Sequence, residues 1–268
     1  MQHDTDTAPA LSQKTSRGFW RLMAARYNAR RAQHRPLPWL GYTLSVLNIV
    51  VIAFLVLDEP LGKTAKALPS WLVAFANDVT NAGQILRMLG AILAIFIVGS
   101  LLARRLADLR RRYRSAYLFR MSAYLLASLL SASAVVHVLK TAIGRARPLV
   151  YDQYGVLAFE PFNGDFLFQS FPSAHSTQIG AFCVALALLF PRFRLVLVGA
   201  ALWIGATRII LGVHYPSDVA AGLALGAWCS FAMAVMFSRF GLLFALSPNG
   251  LPVPRVRRLI RQRPLADG

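Results

Sequence analysis

Residues 117–148 read YLFRMSAYLLASLLSASAVVHVLKTAIGRARP, an apolar run that ends in a cluster of cations. The part Tyr117–Leu139 is long and apolar enough to cross a bilayer. A spanning segment must satisfy its own backbone hydrogen bonds in lipid, so it forms a helix. Lys140 follows the apolar run directly, and Pro148 marks a break from regular helix. The stretch therefore predicts a membrane helix that brings positive charge to one membrane surface.

The composition of the whole chain is typical of a membrane protein. Hydrophobic residues make up 56% of the 268 residues, 15% are charged, and the mean hydropathy is +0.51. A soluble domain usually has about 25% charged residues. The formal net charge of +18 is by itself also typical of nucleic-acid binding. However, the cations lie between apolar stretches without a helix-turn-helix, zinc or RNA-binding signature, so we predict no nucleic-acid partner.

Apolar stretches predict about six membrane helices. They lie near Trp39–Leu57, Ile85–Ala103, Tyr117–Leu139, Ala174–Phe190, Leu195–Gly212 and Val219–Phe237. The second and fourth are somewhat short. Glycine and alanine are frequent in the last three, and small residues let membrane helices approach closely. The predicted fold class is all-α, a polytopic membrane helical bundle with about six transmembrane helices.

Basic clusters predict the orientation of this bundle. With six spans, four basic segments fall on one side, which the positive-inside rule assigns to the cytoplasm. They are 14–35, 104–114, 192–194 and 255–263. The opposite loops are Asp58–Gln84, Lys140–Ser173 and Val213–Asp218. We expect a bacterial-type inner (plasma) membrane protein with both termini cytoplasmic and these loops on the periplasmic or extracellular face.

One membrane domain, residues 38–240, is predicted between two cytoplasmic basic tails, 1–37 and 241–268. The first tail is expected to hold an amphipathic helix near Trp20–Arg35, and the second to be irregular. Residues 1–20 lack the apolar core of a secretory signal, so the first span is expected to be an uncleaved anchor. Cys183 and Cys229 lie in apolar runs and are interpreted as buried free thiols.

Lys140, Arg145 and Arg147 form the cation cluster after the third span. Lys140 and Arg147 would share one face of a continuing helix, where an ammonium and a forked guanidinium suit a phosphate group. Cations at a span end are also typical of simple headgroup contact, and this segment alone favours that alternative. Arg145 is interpreted as the cation that contacts headgroups.

Pro172, Ser173, Ala174 and His175 precede the fourth span and are predicted at a helix N-terminus. Such a terminus has free N–H groups and partial positive charge, which favour phosphate. The Ser173 hydroxyl either donates a hydrogen bond to a phosphate oxygen or only caps the helix. His175 is either a general acid for a leaving oxygen or an ordinary interfacial residue.

The third cluster contains Arg208, His214 and Asp218, with Asp218 about one helical turn beyond His214. A carboxylate bonded to one imidazole nitrogen fixes the tautomer and leaves the other nitrogen free as a nucleophile. The alternative is a helix cap at Ser217–Asp218 beside an incidental histidine. Lys140, Arg147 and Arg208 come from distant stretches, and if they converge, a phosphate is the simplest partner.

Together these motifs resemble the type 2 phosphatidic acid phosphatase superfamily, which shares its site with vanadium haloperoxidases and bacterial acid phosphatases. The family signature is K-x6-R-P, then P-S-x-H, then S-R-x5-H-x3-D. Lys140 to Pro148, Pro172 to His175, and Thr207 to Asp218 match it in order and internal spacing. Thr207 departs from the usual serine but keeps a hydroxyl.

The resemblance implies a role for each matched residue. His214 is the nucleophile that forms a phosphohistidine, Asp218 orients it, and His175 is the general acid and then the base. The phosphate-binding residues implied are Lys140, Arg147, Ser173 and Arg208. The resemblance implies no metal or other cofactor, and Asp152, Glu160 and Asp165 are interpreted as ordinary loop acids.

The expected activity is hydrolysis of a lipid phosphate or pyrophosphate at the outer face. Family members act on undecaprenyl pyrophosphate, phosphatidylglycerol phosphate, phosphatidic acid or lipid A phosphates. Two alternatives stay open: transfer of the phosphoryl group to another lipid, and a non-catalytic lipid-binding or transport protein. Aromatic residues in the third loop either line a lipid entry path or only anchor the loop. They are Tyr154, Phe159, Phe162, Phe166 and Phe168.

Overall fold

The computed structural model describes residues 18, 20–31, 39–64, 68–82, 85–105, 109–247 and 251–255. These residues divide into two compact units. One lies within Pro38–Ala234, and the other consists of the described parts of Met1–Leu37 and Val235–Gly268.

The larger unit is built from helices, which confirms the all-α prediction. They are α2 (Trp39–Ala53), α3 (Glu59–Thr64), α4 (Ser70–Ala82), α5 (Ile85–Arg105), α6 (Leu109–Ile143), α7 (Tyr151–Tyr154), α8 (Ala174–Leu189), α9 (Arg194–Ile210) and α10 (Pro216–Arg239). A π-helical turn, Phe54–Asp58, joins α2 to α3. Short 3-10 turns occupy Pro148–Val150, Phe166–Phe168 and Pro191–Phe193. Helix α10 continues into the smaller unit.

Among the residues that the structure describes, four helical stretches are long and apolar enough to cross a membrane. They are Trp39–Thr64, Arg114–Ile143, Pro191–Ile210 and Pro216–Arg239. The other two predicted spans, which the sequence marks as short, correspond to the shorter apolar helices Ile92–Leu102 and Ala174–Leu189. Only 6% of the apolar window in Trp39–Thr64 is buried within the protein. This surface suits contact with lipid, because a water-exposed helix would carry polar side chains there.

The prediction of a loop over Asp58–Gln84 is wrong for much of its length, because α3 and α4 lie there. Helix α4 packs against α9, where the hydroxyls of Thr80 and Thr207 lie 2.8 Å apart in a hydrogen bond. Helix α4 has 13 residues, which is too short for a spanning helix, so a search for spanning runs does not detect it.

Close packing of α8 against α9 and α10 forms the centre of the larger unit, as the small residues predict. Ile179, Cys183 and Ala201 are buried together, with Leu223 packed against them. The Ser230 hydroxyl of α10 donates to the Ala181 carbonyl of α8 at 2.7 Å. Cys183 is a buried free thiol, as predicted, and the free thiol Cys229 is partly buried.

The smaller unit contains a helical stretch at residues 20–28 (α1), whose Tyr27 ring lies 5.8 Å from that of Phe240. Strands β1 (Phe244–Leu246) and β2 (Pro252–Pro254) pair antiparallel, with Ala245 opposite Val253. The expectation of an irregular C-terminal tail is therefore wrong over these residues. Burial of the Phe244 side chain stabilises the strand pair despite the prolines.

Candidate active site

The ends of four helices bring the predicted site residues together. Lys140 lies in the last turn of α6 and Arg208 in the last turn of α9. His175 and Asp218 lie in the first turns of α8 and α10. Consecutive antiparallel helices place the end of one beside the start of the next. Three motifs that are far apart in the sequence therefore meet at one end of the bundle.

His214 and Asp218 form the closest pair of catalytic type. The distance from His214 Nδ1 to Asp218 Oδ2 is 3.6 Å, slightly longer than a hydrogen bond. Asp218 Oδ2 also accepts the Ser170 hydroxyl at 2.5 Å and the Tyr215 backbone N–H at 2.8 Å. The Tyr215 bond caps the start of α10. Asp218 thus serves both interpretations of the sequence, as a helix cap and as the partner of the histidine.

Burial controls the charge of His214, whose side chain is 4% exposed. Burial, with the positive charges of Arg147 and Lys140, lowers the pKa of His214 to about 4, although Asp218 acts in the opposite direction. The imidazole is therefore neutral at physiological pH. A neutral imidazole keeps a nitrogen lone pair, which nucleophilic attack requires.

We expect nitrogen-15 NMR of histidine-labelled protein in detergent to show that the His214 imidazole titrates near pH 4, against the ordinary value of 6.5. This signal should be absent in His214→Ala, which assigns it. Between pH 6.5 and 4 the unfolded chain takes up a proton at His214 that the folded chain does not. The free energy of unfolding should therefore fall as the pH decreases through this window. A His214 midpoint near 6.5 would show that the burial is not maintained.

Arg147 lies outside α6, because this helix ends at Ile143 and Arg147 is in extended backbone with φ −82° and ψ 157°. The expectation that Lys140 and Arg147 share one helix face is wrong for this reason, yet the fold still brings their charges close. Arg147 Nε donates to the Phe166 carbonyl at 2.9 Å, and its guanidinium lies 3.7 Å from the Phe166 ring centroid. Burial and the nearby Arg208 lower the pKa of Arg147 to about 10, so it stays charged.

Like charges and unpaired polar atoms together indicate an anion site. Lys140 is 6% exposed and lies within electrostatic range of Arg147 and Arg208. Arg208 also lies within electrostatic range of His175. Among the described residues, no hydrogen-bond partner is present for His175 Nε2 or Arg208 Nε, although both atoms are buried. Buried cations repel one another unless an anion lies between them, and phosphate would supply both charge and acceptor oxygens.

Ser173 is the N-cap of α8, and its oxygen accepts the Ser176 N–H at 3.4 Å and the Ser176 hydroxyl at 3.0 Å. Its own backbone N–H donates to the Asp218 carbonyl at 3.0 Å. The serine thus joins the start of α8 to the start of α10. Because its oxygen acts as an acceptor in both side-chain bonds, its hydroxyl hydrogen remains available for a phosphate oxygen.

Arg145 does not contact headgroups, so that interpretation is wrong. Its side chain is 1% exposed, and its guanidinium donates to Asp218 Oδ1 at 2.7 Å and to Asp58 Oδ2 at 2.8 Å. Asp58, at the end of the first apolar run, was missed by the motif reasoning. Its position in the sequence could have revealed it, because an ionisable residue at the end of a spanning run is expected to have a buried partner.

The aromatic loop after α7 is mostly exposed, with Phe162 74% exposed and Phe168 buried at 6%. Tyr154, Phe159 and Phe166 are also exposed.

The loop acids lie on the surface, since Asp152 and Glu160 are exposed and Asp165 accepts the Leu167 N–H at 3.0 Å as a local cap. Within the described residues, His, Cys, Asp and Glu side chains do not gather in a group of three or more that could hold a metal ion.

The fold and the site define a membrane phosphatase. The chain belongs to the PAP2 superfamily, whose family model matches residues 122–241. The Lipid A 1-phosphatase of Rhizobium johnstonii is 38% identical over 245 residues, which are 91% of this chain and 99% of that protein. The Lipid A 1-phosphatase of Rhizobium etli is 38% identical over 82% of this chain and 94% of its own length. These relatives confirm the resemblance and the enzymatic class, so the non-catalytic alternative is wrong.

Similarity to a solved structure supports the fold. A transmembrane PAP2 type phosphatidylglycerolphosphate phosphatase from Bacillus subtilis superposes with a TM-score of 0.52 at 22% identity. The match covers 75% of this chain and 96% of that one. At this identity the likeness extends to the arrangement of helices alone.

Proposed function

We propose that the protein hydrolyses the 1-phosphate of lipid A, or of a closely similar glycolipid, at the outer face of a bacterial inner membrane. The observation that carries the chemistry is the convergence of two histidines and three cations at one end of the bundle. The substrate is proposed from the Rhizobium relatives, because they match over 91% and 82% of this chain.

The proposed reaction has two steps. His214 attacks phosphorus through the nitrogen that faces away from Asp218, and the bond from phosphorus to the lipid oxygen breaks. His175, which enters this step protonated, gives that oxygen its proton. His175 then removes a proton from water, the hydroxide attacks phosphorus, and the phosphorus–nitrogen bond breaks to release inorganic phosphate. Neutral His214 at physiological pH agrees with its role as nucleophile.

Lys140, Arg147, Arg208 and Ser173 are proposed to bind the phosphate oxygens in both steps. Phosphoryl transfer depends mainly on positioning and on stabilisation of charge, and fixed cations supply both. Arg147 is held by backbone carbonyls and by the Phe166 ring, so little reorganisation is needed when the phosphate arrives.

The proposed orientation places the site outside the cytoplasm and both termini inside. Support comes from the arginines at the opposite end of the bundle. Arg111 and Arg114 lie near the start of α6, and Arg192 and Arg194 lie at the connection from α8 to α9. An excess of cations at one end of a bundle is typical of its cytoplasmic end.

A panel of lipid phosphates tests the proposed substrate. Purified protein in one detergent should release phosphate from lipid A with a kcat/KM at least about tenfold above that for undecaprenyl diphosphate, phosphatidylglycerol phosphate and phosphatidic acid. Mass spectrometry should show loss of the 1-phosphate specifically. Faster turnover of undecaprenyl diphosphate would contradict the lipid A assignment and favour undecaprenyl diphosphate as the substrate. A protein named undecaprenyl-diphosphatase from Sulfolobus acidocaldarius is 32% identical over 40% of this chain.

A second arm of the same experiment separates hydrolysis from transfer. A phosphate-free acceptor lipid is added, and the phosphate is followed by radiolabel. We expect the label in inorganic phosphate whether or not the acceptor is present. Label in the acceptor lipid would favour the phosphotransferase alternative.

A further inference from the structure

We propose that Asp58 and Arg145 are positioning residues for phosphoryl transfer, which together hold Asp218 in the orientation that His214 needs. This inference rests on the proposed roles of His214 and Asp218. Asp58 belongs to the first membrane helix and lies outside residues 122–241, which the family model matches. The first helix would therefore be a working part of the active site as well as a membrane anchor.

Arg145 lies between two buried carboxylates. Nη1 donates to Asp218 Oδ1 at 2.7 Å and to the Ser217 hydroxyl at 2.7 Å, while Nη2 donates to Asp58 Oδ2 at 2.8 Å. Both carboxylates are 0% exposed. The planar guanidinium has its donors in fixed directions, so the position of one carboxylate constrains the other.

Aromatic rings hold the guanidinium as well. The Arg145 carbon Cζ lies 4.3 Å from the Tyr215 ring centroid and 4.9 Å from that of Phe54. Phe54 and Asp58 delimit the π-helical turn at the end of α2, and such turns often occur at functional sites. The turn thus presents both a ring and a carboxylate to the same guanidinium.

Asp58 also binds the start of α10 directly. Its Oδ1 accepts the Ser217 backbone N–H at 3.0 Å, and its Oδ2 accepts the Ser217 hydroxyl at 2.5 Å. A carboxylate at a helix N-terminus is favoured by the free N–H groups and by the helix dipole. The first helix therefore caps the helix that carries Asp218.

The consequence for catalysis follows from the two oxygens of Asp218. Oδ2 lies beside His214 and accepts hydrogen bonds from Ser170 and Tyr215. Oδ1 accepts a hydrogen bond from Arg145. The terminal torsion of an aspartate has a broad energy well, so the bond to Oδ1 fixes the plane of the carboxylate. Removing one member of such a buried charge group leaves the others incompletely paired. Loss of Asp58 should therefore change the orientation of Arg145 and Asp218, and through them that of His214.

A double-mutant cycle in the full-length protein tests this coupling. Asp58→Asn should lower kcat by about 10- to 100-fold with the KM for lipid phosphate changed less than about threefold, because only the orientation of the nucleophile suffers. In an Asp218→Asn background, the same change should lower kcat less than about threefold, since the group through which Asp58 acts is already altered. Residual turnover is measured with radiolabelled substrate. Additive losses, an effect on KM alone, or full activity of Asp58→Asn would overturn the proposal.

Glu59→Gln is the matched control. Glu59 is the next residue, and its ion pair with Lys63, at 2.6 Å, is exposed to solvent. Its kcat and KM should equal those of the wild type. Asp58→Glu keeps the charge and replaces Asp58→Asn in the cycle if the asparagine variant does not fold, with the same non-additivity expected.

His214→Ala separates the two hypotheses. If that variant keeps its turnover, the proposed function fails. If it is inactive while the losses in the cycle are additive, only the inference about Asp58 and Arg145 fails.

Discussion

His214→Ala is expected to reduce phosphate release by about 10³-fold or more, because the variant lacks the nitrogen to which the phosphoryl group is transferred. Water could still attack a phosphate bound by Lys140, Arg147 and Arg208, so a small residual rate is expected. The fold should persist, because the His214 ring lies at the end of the bundle and its Nδ1 atom makes no hydrogen bond among the described residues. Turnover of lipid phosphate and the unfolding midpoint are both measured in detergent.

The control for this prediction is His137→Ala. His137 is an exposed residue of α6, so its loss removes an imidazole without touching the cation cluster. Activity should remain at the wild-type level. A rapid acid quench with phosphorus-32 substrate should trap labelled protein in the wild type and in His137→Ala but not in His214→Ala. Wild-type turnover by His214→Ala, or label retained on it, would refute the assignment of the nucleophile.

The catalytic pattern could be predicted from the sequence because its chemistry depends on local spacing. Asp218 follows His214 by four residues, and His214 lies just before the start of α10, whose first turn carries Asp218. Their pairing needs no information about the rest of the fold. Ser173 and His175 are similar, because a helix N-terminus can be recognised from a proline and a serine before an apolar run.

Arg145 and Asp58 could not be paired in this way, since 87 residues separate them along the chain. A cation at a span end fits headgroup contact as well as a buried ion pair, and local sequence does not distinguish the two environments. The tertiary fold decides the outcome by bringing together the π-helical turn after α2, the start of α10 and the loop after α6. Helix α4 and the β1–β2 pair were missed for a related reason, because short elements owe their stability to neighbours rather than to their own pattern.

The packing of α8 against α10 depends on glycine, and Gly226→Ala is expected to have the largest effect on stability. A Cβ at residue 226 would lie 2.0 Å from the Thr177 carbonyl oxygen and 2.5 Å from the Ala181 nitrogen. Both are backbone atoms of α8, so neither can move away without displacing the helix. Overpacking against backbone should lower the free energy of unfolding by about 3 kcal/mol or more. Thermal unfolding in detergent, followed by circular dichroism, measures the loss.

Gly199→Ala is the matched control, because Gly199 lies within α9 and, apart from the nearby backbone of that helix, no atom of the described residues lies within 4 Å of its added Cβ. There the substitution should be neutral or stabilise the protein by about 0.5–1 kcal/mol, since alanine favours the helix over glycine. Displacement of α10 from α8 would also separate Asp218 from His175, which these two helices carry. Gly226→Ala should therefore lose activity below its unfolding midpoint. Equal unfolding midpoints for the two variants would show that α8 and α10 leave room for a Cβ at residue 226, which contradicts the distance of 2.0 Å from that Cβ to the Thr177 carbonyl oxygen.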